Sequence, residues 1–454
     1  MNALRGLAQS ETQGREMRDI VTGGTKTVTG KQGLHHLAQV ILGLAAIVSV
    51  LALPGCATYS ASMAHVENAA ANRDLDAANK ALDKLKLGGS DETLLHLNKG
   101  TLLRWQGQYA DSNTQFEAAK NLMEQLDAIS IKEQAASVTI NDTFKAYEGL
   151  PSEQLMVYSF EALNYLQMGD VDDAAVEARQ FNLKQRLLAE KHRNAKYLSG
   201  AFVRYLNGMV YEAAGEPDSA RIEMQKAVDG YKAQNAGFPI PRKLGDDLAR
   251  LKAGKPAPSE VVFILHNGLG ATLAENVIRV ANPAYDPRNP KSIGMISLAV
   301  PRFVRRPIPV DHVVLSAGAS SATSEEVEDV NGIAEKSFND RLPVIIARGV
   351  ARMAVKLAAE AEVNKKEADN PMVSIFTNIA ANASERADTR SWTLLPGNIL
   401  MARLSLPAGK HDVTATYYDG GGNVLGSRDF KDVEVKPGQK SFVSDYFLSQ
   451  PGRR

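Results

Sequence analysis

Three glycines divide the first half of this 454-residue chain into pieces that resemble one another. Gly107, Gly169 and Gly215 each stand between two runs with helical spacing. In residues 96–122, "HLNKGTLLRWQGQYADSNTQFEAAKNL", the recurring positions are Gly100, Leu103, Gly107, Tyr109, Phe116 and Ala119. Ala162, Tyr165, Gly169, Ala174, Ala178 and Phe181 take the equivalent places in 159–182, and Gly208, Tyr211, Gly215, Ala220, Met224 and Ala227 in 205–231. An earlier unit places Arg73, Leu75, Ala78 and Leu82 each 34 residues before Gly107, Tyr109, Ser112 and Phe116. Small residues at these offsets let two antiparallel helices approach closely. Each pair then needs a neighbour to cover its remaining apolar face.

The offsets and the 34-residue period are those of a tetratricopeptide repeat, and they predict a tetratricopeptide-like α-solenoid over 71–245. The turn glycines are unevenly spaced, 62 residues from 107 to 169 and 46 from 169 to 215, so the array is interrupted. Residues 123–150 carry one surplus, as an extended helix and the loop "YEGLPSEQ"; 183–200 carries the other by prolonging a helix. Stacked repeats of this kind present a concave surface that binds peptides or proteins.

The single cysteine, Cys56, lies behind the apolar run that starts at Leu37, with Lys26 and Lys31 before it. A basic region, an apolar region and small residues make a secretory leader. Its end, Leu53-Pro54-Gly55-Cys56, resembles the lipobox of bacterial lipoproteins. The resemblance implies signal-peptidase cleavage before Cys56, a diacylglyceryl thioether on its sulfur and an acyl chain on the new amine. Several acyl chains anchor stably where one does not. The expected layout is a lipoprotein signal peptide at 1–55 and a lipidated polar tether at 56–70. Ala57 in place of an aspartate favours the outer membrane, facing the periplasm.

From 258 the pattern changes. "EVVFILHNGL", "NVIRVANP", "IGMISLAVPRF" and "DHVVLSAG" are β-prone. So are "NILMARLSL", "KHDVTATYYD", "NVLGSRDFKDVEV" and "KSFVSDYFL", separated by the turn signals "PAGK", "DGGGN" and "KPGQ". Between them, "SEEVEDVNGIAEKSFNDRL" opens like a capping box and keeps helical spacing. A basic amphipathic helix follows, with Val350, Met353, Ala354 and Leu357 on its apolar face. A helix of this kind lies on a membrane or, more commonly, packs on a neighbouring sheet. The fold class expected is α+β: the helical array, then a β-sandwich-like domain over 258–450 with a helical insertion at about 324–385.

Fifty-two basic and 52 acidic residues cancel, so there is no global charge footprint for nucleic acid. One cysteine excludes a disulfide framework and a thiolate zinc site, and the eight histidines form no HExxH motif. No metal and no cofactor beyond the lipid is expected. Ser316-Ala317-Gly318 lacks the nucleophile elbow, and His266-Asn267-Gly268 reads as a strand end and turn. Asp388, Arg390 and Trp392 stand together in "ADTRSWTLLPGNILMARLSLPAGKHDV". A guanidinium fork and an indole suit a carboxylate or a sugar, so this is a candidate partner or ligand site. The opposing reading is a buried Asp–Arg pair and a Trp plug. Glu325, Glu326, Asp329 and Asp388 are the carboxylates a hydrolase would draw on.

That segment, with "YEGLPSEQLMVYSFEALNYLQMGDVDDAAVEARQFN", is similar to a family of bacterial tetratricopeptide-containing lipoproteins. The family has no settled activity. The resemblance implies a lipid-anchored, non-enzymatic scaffold or adaptor that binds a protein partner through its helical repeats, in cell-envelope assembly or peptidoglycan synthesis. The alternative is a carbohydrate-binding or hydrolytic envelope protein that uses the β domain.

Overall fold

Four turns of the same construction organise the helical half. Helix α2 (Ala64–Ala71) turns into α3 (Leu75–Lys84), α4 (Glu92–Trp105) into α5 (Tyr109–Glu133), α6 (Pro151–Met168) into α7 (Val171–Lys191), and α8 (Ala201–Ala213) into α9 (Pro217–Gln234). Short α1 (Tyr59–Ser62) precedes them and α10 (Arg242–Lys252) follows. At each turn one residue is left-handed: Arg73 (φ 60°), Gly107 (77°), Gly169 (79°) and Gly215 (75°). The next amide reaches back to the last helical turn. Asp74 N donates to Ala69 O, Gln108 to Leu103, Asp170 to Tyr165 and Glu216 to Tyr211, at 2.8–3.0 Å. This is the glycine helix stop, with arginine in the glycine position of the first unit. The computed structural model describes residues 58–133, 145–193, 195–234, 238–281, 287–288, 295–366 and 386–449.

The small residues act where the sequence places them. A Cβ on Gly100 would stand 2.6 Å from the Phe116 ring, and one on Gly208 would stand 2.5 Å from Met224. Phe116, Ala119, Ala162, Ala174, Ala220 and Ala227 are buried between paired helices. The surplus of the second unit prolongs α5, and that of the third prolongs α7.

Residues 58–70 are not a tether. Tyr59, Met63, Val66 and Ala70 recur at helical spacing, and the last three are fully buried in the core of the first helices. Ser60 Oγ donates to Leu273 O at 2.9 Å and lies 3.1 Å from Thr389 O, tying α1 to distant parts of the chain.

The strands form two four-stranded sheets and a ribbon. The first sheet has the order β10 (Lys440–Phe447), β1 (Glu260–Asn267), β7 (Asn398–Ser405), β6 (Glu325–Glu328), with β10 parallel to β1 and the other neighbours antiparallel. The second, all antiparallel, has the order β5 (Ser320–Thr323), β4 (His312–Ala317), β8 (Gly409–Tyr418), β9 (Val424–Val435). Val261, Phe263 and Leu265 of β1 and Leu400, Ala402 and Leu404 of β7 share a core with Val313, Leu315, Val413, Ala415 and Tyr417 of the second sheet. The alternate residues Val262, Ile264, Ile399 and Met401 face the other way and join the core of the helices. Every residue of β1 is therefore buried.

Residues 324–328 read as the start of a helix, but 325–328 pair with β7 as strand β6. Helix α11 (Val330–Lys366) starts after Asp329, whose Oδ1 accepts the Gly332 amide at 2.8 Å. Its Ile346, Val350 and Met353 pack on Leu298 and Val300 of the ribbon formed by β2 (Thr272–Ala281) and β3 (Met295–Val304). Residues 370–385, expected as helix, and the side chain of Leu357 lie outside the described residues. By contacts, Thr58–Arg454 is one compact unit.

Candidate functional site

The inner helices α4, α6 and α8 would line the concave side of a repeat array. Here the chain's own strands cover them. Trp105 stacks on Tyr446 of β10 (centroids 4.3 Å apart) and Phe160 on His266 of β1 (4.7 Å). Arg104 Nη2 donates to Ser444 Oγ at 3.1 Å, and Tyr205 Oη meets Arg403 at 2.7 Å. Helices α6 and α8 are buried along most of their length, as expected of helices apolar on both sides. Among the described residues, the chain's own strands thus occupy the face that a repeat array would offer as a groove.

Asp388, Arg390 and Trp392 are brought together as a bolt across the same interface. Arg390 Nη2 lies 2.7 Å from Asp388 and Nη1 2.9 Å from Asp91, with the Ser90 and Lys145 carbonyls also on Nη1. Trp392 is 1 % exposed; its Nε1 donates to Thr101 Oγ1 at 3.0 Å, and its ring meets Phe116 and Phe160. Its amide donates to Glu153 at 2.8 Å. The fork and the indole are spent on contacts within the fold, as in the plug reading of the two that the sequence offers.

The candidate carboxylates each have a separate task. Glu325 pairs with Arg242 (2.9 Å), Glu326 accepts from Asn398 (2.9 Å), and Asp329 caps α11. Burial pushes Glu328, which was not singled out in the sequence, up to about 8, although Gln234 donates to it at 2.7 Å. Its acid neighbours in "EEVEDV" hid it. His266 is buried; desolvation first, then the charge of Arg104, holds it well below its usual range, so it is neutral. Ser316 Oγ lies against the Thr414 carbonyl, far from a base's role.

Two charge clusters were invisible in the sequence. In the first, Lys120 Nζ sits 2.7–2.9 Å from Glu117, Glu161 and Glu177. These carboxylates have the spacing of a metal site, but the ammonium already supplies the cation. In the second, Arg403, Lys440 and Arg250 interleave with Asp247, Glu260 and Glu212 between α8, α10 and the first sheet. Burial alone would raise Asp247; Arg403, Lys440 and Arg250 outweigh it and hold the carboxyl below its usual range.

Above Arg403 opens a polar cleft of about 590 Å³. It is lined by the four residues of β5, by Arg242 and Lys243 at the start of α10, and by Met401, Arg403 and Val327. That volume lies in the range of ordinary ligand sites. The apolar cavity beside Trp392 and Phe338 has room for only about 50 Å³. Of these two openings among the described residues, the cleft is the roomier.

The lipidation motif, Leu53, Pro54, Gly55 and Cys56, lies outside the described residues. Among those described, no helix is long and apolar enough to cross a membrane. No family model, curated protein or solved structure matches the chain.

Proposed function

We propose that the chain is a lipid-anchored, non-enzymatic adaptor of the bacterial cell envelope. It faces the periplasm from the outer membrane and belongs with the tetratricopeptide-containing lipoproteins it resembles. The carrying observation is covalent: the lipobox cysteine, Cys56, is separated only by Ala57 from Thr58, where the compact body starts. Four turns of one construction support the tetratricopeptide-like reading, and the core shared by two sheets supports the β-sandwich. Because the concave side is covered, the partner is bound on an outer surface. The polar cleft presents hydroxyls and an Arg–Glu pair, a set suited to recognition.

The test is capture of the full chain from crosslinked envelopes beside Cys56→Ser. A defined envelope complex that Cys56→Ser fails to recover is the expected result. Equal membrane association of both chains, or no complex with either, overturns the reading. A carbohydrate-binding alternative built on Trp392 loses its platform, since the indole is inside the core.

A further inference from the structure

We propose that the free edge of β5 is a docking strand, to which an extended segment of a partner protein adds as a fifth strand of the second sheet. This rests on the adaptor reading and names how the partner is held.

The backbone fixes the class of occupant. The two-residue turn after Ala317 pairs that residue with Ser320, and at the other end Ser324 N donates to Val313 O at 2.8 Å. Peptide groups along an antiparallel strand point alternately toward the neighbour and away. Ser320, Ala322 and Ser324 therefore face β4, and Ser321 and Thr323 present their N–H and C=O groups on the opposite side. Among the described residues those groups have no bonded partner. Ser320, Ser321, Ala322 and Thr323 all line the cleft, although successive side chains point to opposite faces. The cleft thus borders the edge of the strand. Alternating donors and acceptors at strand spacing match another extended backbone, the recognition mode of strand addition.

The other edges of the two four-stranded sheets are closed. Tyr231 Oη donates to Val327 O of β6 at 2.7 Å, and Arg73 Nη2 to Tyr446 O of β10 at 2.9 Å. Strand β9 carries Arg428, Asp429, Lys431 and Asp432, and breaks its register beside Asp432, whose φ is 52°. Charges and bulges of this kind keep sheet edges from pairing. Ser-Ser-Ala-Thr has neither, and its small side chains leave the backbone accessible. Across the cleft, Arg242 is 88 % exposed at its side chain and bonds Glu325 through its amide and Nε. Its terminal nitrogens are left to meet carbonyls or an acidic side chain of the incoming strand.

The test uses the full chain in detergent and an immobilised library of capped eight-residue peptides. Wild type is expected to retain a set of peptides that Ser321→Pro loses at least tenfold, whereas Ser321→Ala keeps them. Proline removes an outward N–H that β4 does not use, so the urea midpoint should be unchanged. A scan of single N-methyl groups along a retained peptide, read on the wild-type chain, needs no variant. It should weaken binding tenfold or more at alternate residues only. No retained peptide, or losses without a two-residue period, overturns the proposal. A Cys56-dependent complex recovered equally with Ser321→Pro also overturns it and leaves the adaptor reading intact. Peptides with the expected period but no such complex sink the adaptor reading alone.

Discussion

The two sheets are built from strands of similar length, yet they treat polar residues in opposite ways. The second has one covered face: β8 alternates buried Val413, Ala415 and Tyr417 with half-exposed neighbours. The first is covered on both, by the second sheet and by α4, α6 and α8, so Glu260, His266, Asn267 and Arg403 are buried along with the apolar residues. Glu260, Asn267 and Arg403 find their hydrogen bonds inside, whereas His266 stacks on Phe160 with its Nε2 unbonded among the described residues. Asn267 Nδ2 donates to the Val310 carbonyl at 2.7 Å and to Asn398 at 2.9 Å, and Arg403 joins the six-membered charge cluster. The cost of changing a polar residue is thus set by how many layers cover its strand.

The largest effect should follow from Asp247→Ala, which leaves Arg403 of the first sheet short of a buried partner. Breaking one member of such a cluster costs about 3–5 kcal/mol, read as a lower urea midpoint. Glu328→Gln probes the same sheet through pH. Burial raises Glu328 from 4.5 to about 8, so between those values the folded chain holds a proton that the unfolded chain has released. Its contribution is full below pH 4.5, falls as pH rises and is lost above about 8. Unfolding measured at pH 5 and pH 8 should show a shallower decline for the glutamine variant, and greater stability than wild type at pH 8. An equal decline in both would place the proton elsewhere. The smallest effect belongs to Lys431→Ala on β9, whose ion pair with Asp412 is fully solvated. The urea midpoint should not move, and a clear drop would mean that the second sheet is not open on its outer face.

The helical hairpins were legible because one position per unit needs a left-handed backbone. Even Arg73 was found, by its 34-residue offset from Gly107. The start at 58–70 was misread for its polarity, although Tyr59, Met63, Val66 and Ala70 keep spacings of four, three and four. Strand β6 has the composition of a first helical turn, and it is held as strand by β7 and by Tyr231, more than 90 residues earlier. Local periodicity tells which face of an element is apolar but not what covers it. Hence the sheet against the helices could not be read, although the Asp388–Arg390 pair and the Trp392 plug could. The sequence did carry a hint: both "EVVFILHN" and "AFVRYLNGMVY" are rich in apolar residues on every side, as a doubly covered strand and helix must be.

Arg73, at the first turn, grips Asp445 with both terminal nitrogens and lies over the Tyr446 ring. The grip joins the earliest hairpin to the last strand, and that strand fills the edge of β1. Hairpins can close against their neighbours as the chain emerges, but this clasp waits for the C-terminal residues. A chain ending before Lys440 would keep its helices while β1 stayed bare along one side, an adhesive and protease-sensitive product. The architecture therefore couples distant parts of the chain: its first hairpin and β1 are sealed only once β10 has joined them.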